Sequence, residues 1–389
     1  MKRISVTLAV CMVLAVGAMY AGESIKFITN DWNKARAEAK QSNKYLFVDA
    51  YTDWCYWCKV MDKKTFPDES VAAFMNKHFV AAKLEMEHDY GINVAMKYRV
   101  NSFPTFLVFS PDGKLVYKIS GYHEVQPFID ELKKALEPQR LTTYNGISTN
   151  VDLDFPEFYG AAFGTKGKRA QPDSATVNGF IAKQTDLFSE VNYSVQVRFA
   201  SLLSPQNRDQ LFKNANKYAA LYGSEEIEQA GDMVAYGYLN KAIKNKSESE
   251  LQQCLEFITK NKAKDVDMTK SFYCATFYKS TNEWTKMAEH VDKYIGFGNS
   301  TNGNINEWSW AVYEGCNDQT VIAKAIRWMT PVVEHKEEYA TMDTYAALLF
   351  KAKRIPEAKK YATRAIELGK AAGEKTEETE KLLKKMTTN

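Results

Sequence analysis

The spacing of hydrophobic and polar positions up to Pro138 predicts strands that alternate with helices. Short apolar runs predict buried strands at 44–50, 79–86 and 105–110, followed by a turn and a hairpin strand at 115–120. Apolar residues at helical spacing predict helices at 31–41, 69–78, 93–98 and 124–136, and a further helix that opens at Cys55. This order is typical of an α/β fold in which helices cover both faces of a small mixed sheet.

The pattern changes after Pro138. Because 139–176 is rich in Gly, Thr, Asn and Pro and has little periodicity, we expect a connector there, with a solvated basic loop at 164–169. From 177 to 389 the spacing is helical with almost no strand signal. The sequence therefore predicts a second, all-α domain of solenoid-like architecture at 177–389.

The clearest part of that helical domain is 339–369. Small and apolar residues recur there at the positions that two antiparallel helices need for packing, with a turn at 354–356. The segment resembles a tetratricopeptide-type helical hairpin, and a weaker copy precedes it at about the 34-residue period of that family. Such a resemblance implies a scaffold whose concave face holds a partner protein.

Length and charge support this division and exclude one class of partner. A chain of 389 residues is too long for one ordinary hydrophobic core, so at least two domains are expected. The net charge is +3, and no stretch concentrates Lys and Arg. We therefore expect no nucleic acid partner.

The first 21 residues have the pattern of a secretory signal peptide. A basic start at Lys2 and Arg3 precedes an apolar run at 4–16, and small residues then favour cleavage after Ala18 or Ala21. A membrane anchor is the alternative, although the run is shorter than the roughly 20 residues that span a bilayer. The signal predicts a periplasmic or secreted bacterial protein, where disulfides persist.

The Cys55-x-x-Cys58 pair carries the chemistry. Half of a zinc site is one interpretation, but zinc needs four ligands, and no second Cys pair or closely spaced His pair accompanies this one. A chance occurrence is the second interpretation. A redox pair is the third, because a Cys at the start of a helix is stabilised as the nucleophilic thiolate. The remaining cysteines, Cys254, Cys274 and Cys316, are expected to be buried thiols, with a Cys254–Cys274 disulfide left open.

Several separate motifs resemble the thioredoxin superfamily, most closely the C-terminal thioredoxin-like domain of membrane thiol:disulfide reductases. The resemblance covers about residues 24–138, and its motifs lie at 47–59, 82–84, 98–105 and Gly121. It implies a thioredoxin fold for this part of the chain and thiol–disulfide exchange as its activity.

The resemblance also implies roles for individual residues. Cys55 matches the attacking cysteine and Cys58 the resolving one, while Asp49 matches a buried acid that takes a proton from the resolving thiol. Lys83 matches the neighbour of that acid, and Pro104 matches a cis-proline beside the site. The alternatives are a satisfied buried acid, a solvated lysine and a plain edge-strand proline.

Aromatic residues surround the cysteine pair. Trp54, Tyr56 and Trp57 are expected to grip an unfolded peptide, unless one or two of them pack inward, and Phe103 and Pro104 are expected to bind an extended substrate. The best-known family members have Gly-Pro where this chain has Tyr56-Trp57. This difference leaves reductase, oxidase and isomerase activities open.

Two functions follow as hypotheses. The first is a thiol–disulfide oxidoreductase that acts on protein disulfides or thiols in the cell envelope, with a membrane thiol:disulfide reductase as its electron donor. It needs no metal and no cofactor beyond the Cys55–Cys58 disulfide. The alternative is a helical-repeat scaffold that binds one dedicated client, with the thioredoxin-like part as a docking module.

Overall fold

A computed structural model describes residues 24–298 and 300–388. The predicted signal peptide and its cleavage site lie outside these residues. The described chain forms two compact units. The first contains the described residues up to Arg198 together with Asn214–Ser224, and the second contains Phe199–Lys213 and the residues from Glu225 onward.

The first unit is built on a five-stranded mixed sheet. Its strands are β1 (Phe27–Thr29), β2 (Tyr45–Tyr51), β3 (Phe79–Glu85), β4 (Thr105–Phe109) and β5 (Leu115–Ser120). They lie in the order β1-β3-β2-β4-β5. Strands β1 and β2 run parallel to β3, while β4 is antiparallel to both β2 and β5. The predicted thioredoxin fold is confirmed, and β1 is an edge strand that the sequence analysis missed.

Helices account for most of the remaining chain. In chain order they are α1 (Trp32–Ser42), α2 (Tyr56–Val60), α3 (Glu69–His78), α4 (Asp89–Tyr98), α5 (Val125–Ala135), α6 (Glu157–Ala161), α7 (Ser174–Ile181), α8 (Glu190–Arg198), α9 (Pro205–Lys213), α10 (Ala215–Tyr222), α11 (Ser224–Asn245), α12 (Glu248–Asn261), α13 (Val266–Ser280), α14 (Trp284–Gly296), α15 (Asn302–Gly315), α16 (Gln319–His335), α17 (Tyr339–Lys351), α18 (Ile355–Ala372) and α19 (Glu377–Thr388). Helix α2 continues into a π-helical turn at Met61–Thr65.

Aromatic rings fill the core on one face of the sheet. Phe47 of β2 is fully buried and stacks on Phe106 of β4, with their ring centroids 5.4 Å apart. Phe128 of α5 meets the ring of Phe106 at 5.2 Å, and Phe66 follows the π-helical turn into the same cluster. Because β2 is buried on both faces, its sequence is apolar at nearly every position rather than alternating, with buried Asp49 as the exception.

The stretch predicted to be a connector is folded in the structure. It contributes α6 and the start of α7, and the first compact unit continues through α8 and takes in α10. Buried Lys97 of α4 forms an ion pair with Glu190 of α8 at 2.5 Å. Tyr193 of α8 stacks on Tyr222 of α10, with ring centroids 4.1 Å apart and an interplanar angle of 8°. These contacts extend the unit well beyond the thioredoxin-like part.

The second unit is all-helical over its described residues, as the sequence predicts. Helices α17 and α18 form the antiparallel hairpin predicted at 339–369, and Ala346, Ala358 and Ala365 are fully buried in its packing. A tetratricopeptide-type repeat stays a prediction. Within 24–298 and 300–388, every helix is too short or too polar to span a bilayer.

Candidate redox site

The two cysteines lie where β2 gives way to α2. Cys55 occupies the N-cap position of α2, and its Sγ accepts a hydrogen bond from the backbone N–H of Cys58 at 3.0 Å. The two residues form a disulfide, with their Cα atoms 5.3 Å apart. An N–H donor aimed at sulfur favours the thiolate over the thiol once the disulfide is reduced. The local geometry therefore suits Cys55 as the nucleophile.

Asp49 and Lys83 are direct neighbours in the sheet. They face each other in the parallel register of β2 and β3, and Lys83 Nζ lies 3.4 Å from Asp49 Oδ2. Lys83 also pairs with Asp62, and its ammonium lies 5.2–5.3 Å from the ring centroids of Phe27 and Phe66. The structure therefore brings together the acid and the lysine that the resemblance implies.

Burial controls the protonation of Asp49. The side chain is 2% exposed, and Oδ1 is buried without a hydrogen-bond partner among the described residues. Desolvation therefore raises the pKa of Asp49 to about 7, against the lowering effect of Lys83 and with a smaller raising effect from Asp62. A carboxyl group with this pKa can both accept and release a proton near neutral pH.

The proline loop lies at the start of β4. The peptide bond between Phe103 and Pro104 is cis, the geometry that the resemblance implies. The carbonyl oxygen of Pro104 accepts a hydrogen bond from the N–H of Gly121 at 2.8 Å, which ties the loop to the residue after β5. The ring of Phe103 meets the ring of Trp54 edge-on, with centroids 5.8 Å apart. This contact connects the proline loop to the residue that precedes Cys55.

The aromatic residues around the cysteines face solvent. Trp54, Tyr56 and Trp57 are 42%, 69% and 51% exposed, so the alternative in which one or two pack inward is not what the structure has. Trp57 stacks on Tyr122 at 5.2 Å, and Tyr56 packs edge-on against Trp57. An apolar surface of this kind beside a disulfide is suited to contact with an unfolded polypeptide.

Glu87 also belongs to this site, although it was not predicted from the sequence. Its carboxylate accepts a hydrogen bond from Trp54 Nε1–H at 3.0 Å, from the backbone N–H of Lys166 at 3.0 Å and from Arg169 at 2.7 Å. The basic loop at 164–169, expected to be solvated, is thus bound to the site through its backbone and Arg169. The strand order offered a signal for Glu87. Because β2 and β3 are parallel, Cys55, which follows β2, and Glu87, which follows β3, come after the same end of the two strands.

The other three cysteines belong to the second unit. Cys254, Cys274 and Cys316 are buried free thiols, and the Cys254–Cys274 disulfide left open by the sequence is not formed. Burial raises the pKa of Cys254 to about 12 and that of Cys274 to about 11, which keeps both thiols protonated. Among the described residues, no three side chains of His, Cys, Asp or Glu come together as a metal site requires.

Comparisons with known proteins match the same part of the chain. Residues 32–136 match the family model of a thioredoxin-like domain. A protein disulfide-isomerase from Zea mays is 31% identical over 105 residues, which are 26% of this chain and 20% of the relative. The thiol:disulfide interchange protein DsbD from Pseudoalteromonas atlantica is 28% identical over 111 residues, which are 28% of this chain and 19% of the relative.

Among solved structures, the C-terminal domain of Neisseria meningitidis DsbD in its oxidised form is similar. It has 19% sequence identity and a TM-score of 0.25, and the match covers 28% of this chain and 98% of that domain. The chain spans about a fifth of the length of the curated relatives named above. The part of the chain at 32–136 is a thioredoxin-like domain that carries an oxidised Cys55–Cys58 pair.

Proposed function

We propose that the protein is a thiol–disulfide oxidoreductase that acts on protein disulfides or thiols in the cell envelope. One observation carries the proposal. Cys55 of the Cys55–Cys58 disulfide caps α2, and buried Asp49 in the preceding strand β2 has a pKa of about 7. The residues therefore supply a nucleophile, a resolving thiol and a proton acceptor whose pKa matches neutral pH.

In the reducing direction, the Cys55 thiolate attacks one sulfur of a substrate disulfide and releases the other sulfur as a thiolate. A mixed disulfide between Cys55 and the substrate results. Cys58 loses its proton to Asp49 and attacks Cys55 Sγ, which releases the second substrate sulfur. The substrate disulfide has then gained two electrons; one of its thiolates takes the proton held by Asp49 and the other takes a proton from water, and the Cys55–Cys58 pair has been oxidised. The oxidising direction is the reverse of these steps.

We also propose a location in the cell envelope and a membrane protein as the source of electrons. An exported protein with this chemistry needs a source of electrons if it works as a reductase, and a membrane thiol:disulfide reductase is the class of partner that supplies them. Support comes from the signal-like first 21 residues and from the similarity to DsbD proteins. The proposed cycle requires no cofactor other than the cysteine pair.

The test uses the full chain, reduced beforehand and freed of reductant. Wild-type protein is expected to reduce insulin and the small neutral disulfide hydroxyethyl disulfide, and Cys55→Ser is expected to abolish both reactions. Cys58→Ser should stop at a mixed disulfide, which mass spectrometry detects. Cys316→Ser is the matched control, since it removes a buried thiol outside the site. Wild-type activity in Cys55→Ser would refute the proposal.

A further inference from the structure

We infer that Glu87 is a positioning residue which, together with the loop at 164–169, fixes Trp54 as one side of the substrate-binding surface. The loop lies outside the matched thioredoxin-like domain at 32–136, so it adds recognition that the domain alone does not have. The substrate that fits is an extended peptide disulfide with an apolar side chain beside its cysteine. This inference rests on the proposed function.

The carboxylate of Glu87 connects two parts of the first unit. Its side chain is 3% exposed, and each of its two oxygens accepts hydrogen bonds from a different part of the chain. Oε2 accepts from Trp54 Nε1–H, and Oε1 accepts from the backbone N–H of Lys166 and from Arg169. Glu87 therefore joins the active-site turn to the loop through one rigid group.

The hydrogen bonds of the buried Glu87 carboxylate are costly to break. A buried carboxylate that loses a donor keeps its desolvation cost without compensation, so each of its three hydrogen bonds is costly to break. The backbone of Glu87 is itself fixed, since its N–H donates to Glu85 Oε2 at 2.8 Å. Movement of either Trp54 or the loop would leave the Glu87 charge incompletely paired.

Trp54 is held from three directions. Glu87 binds its Nε1–H, the ammonium of Lys166 lies 4.2 Å from its ring centroid, and Phe103 packs edge-on against it. Even so, 42% of Trp54 remains exposed. A side chain that is fixed and yet open to solvent loses little conformational entropy when a ligand binds to it.

The loop has a defined structure of its own. Arg169 Nε donates to the carbonyl of Gly164 at 2.9 Å, and the N–H of Lys168 donates to the carbonyl of Thr165 at 2.9 Å. Gly167 has a φ of 86°, a left-handed conformation that favours glycine. The loop therefore presents Lys166 to Trp54 in a fixed arrangement.

The position of Trp54 determines what it contacts. It precedes Cys55, and its ring touches Phe103, the residue before cis-Pro104. A peptide that extends along the proline loop with its sulfur at Cys55 would set a neighbouring side chain against the Trp54 ring. An apolar or aromatic side chain gains most from that contact.

The experiment follows single turnovers of the full, reduced chain with each of two disulfides in excess, and takes the limiting rate as kcat and the half-saturating concentration as KM. One is a cyclic peptide disulfide with Leu next to cysteine, and the other is hydroxyethyl disulfide, which has no amino-acid side chain to set against Trp54. The variants are Glu87→Gln, Trp54→Phe and their double variant. Glu131→Gln is the matched control, because Glu131 also accepts from an aromatic side chain, Tyr117, and from Lys134, and it lies on α5.

In Glu87→Gln, one carboxylate oxygen becomes an amide NH2 group, which is a donor and cannot accept a hydrogen bond. The hydrogen bond to Trp54 or the hydrogen bonds to the loop are therefore lost. We expect the KM for the peptide to rise about tenfold, which corresponds to the loss of one charged hydrogen bond. Its kcat, and the rate with hydroxyethyl disulfide, should stay within about twofold. Trp54→Phe keeps an aromatic ring but removes the N–H that Glu87 binds. The KM of the double variant for the peptide should be no higher than that of the single variant with the higher KM.

Each outcome decides the inference. Multiplying effects in the double variant, or equal losses on both substrates, would overturn it, as would a normal KM in Glu87→Gln. If Glu87→Gln does not fold, Trp54→Phe alone decides, through a raised KM at unchanged kcat or its absence. A wild-type chain without exchange on hydroxyethyl disulfide would instead overturn the proposed function.

Discussion

Replacement of Asp49 by asparagine tests how burial governs the site. The pKa of Asp49 rises from its ordinary value of 3.8 to about 7, because the side chain is almost completely removed from water. The folded state thus favours the neutral acid. The neutral carboxyl of Asp49 stabilises the folded state fully below the ordinary pKa of 3.8, and this stabilisation is lost as the pH rises through about 7.

The size of the effect follows from the shift. Three pKa units at 1.36 kcal/mol each correspond to about 4 kcal/mol of unfolding free energy, lost between about pH 4 and pH 8. Asparagine cannot ionise, so Asp49→Asn should lack this loss. At pH 8 the variant is expected to be more stable than wild type by about 2–4 kcal/mol, the lower figure allowing for the weakened pairing of Lys83. Lys83 keeps Asp62 as a partner in the variant.

Hydrogen exchange measures this in the oxidised full chain. Peptides from β2 and β3, analysed by mass spectrometry at several urea concentrations, report the opening free energy of the first unit at pH 5 and pH 8 after correction for intrinsic exchange. Asp62→Asn is the control, since it removes the exposed partner of Lys83 and should keep most of the pH dependence. Equal pH dependence in wild type and Asp49→Asn would refute the reasoning.

Three further predictions concern packing, pairing and thiol reactivity. Phe128→Ala empties a fully buried ring site and should lower the unfolding free energy by about 3–5 kcal/mol in denaturant titrations. Glu190→Gln leaves buried Lys97 without its ion-pair partner and should lower it by about 3–5 kcal/mol, whereas exposed Glu378→Gln should change it by less than about 1 kcal/mol. A maleimide should label Cys254 only after denaturation, and rapid labelling of the native protein would contradict its burial.

The sequence was sufficient for the features that depend on neighbouring residues. The apolar run of β2 and the Cys55-x-x-Cys58 motif could be recognised because their signals lie within a few positions of each other. The cis bond at Pro104 and the Asp49–Lys83 pair came from resemblance, since no local pattern encodes contacts between strands. Strand β1 has three residues, too few for a periodic signal.

The features that escaped prediction depend on distant residues. Glu87 contacts Trp54 across 33 positions and Arg169 across 82, and hydrophobic periodicity carries no information at such separations. The loop at 164–169 has the composition of a solvated segment, because its charged residues do not reveal that its backbone binds a buried carboxylate. Composition identified a loop there, and only three-dimensional packing gave it a place in the site.

The return of the chain into the first unit affects how the protein is made. The chain leaves that unit after Arg198 and comes back with α10, whose Tyr222 completes the stack on Tyr193. A ribosome releases its product from the N-terminus onward, and domains generally fold as units during synthesis. Cys55 and Cys58 therefore emerge before residue 224, and the unit that holds them is complete only once that residue has been translated.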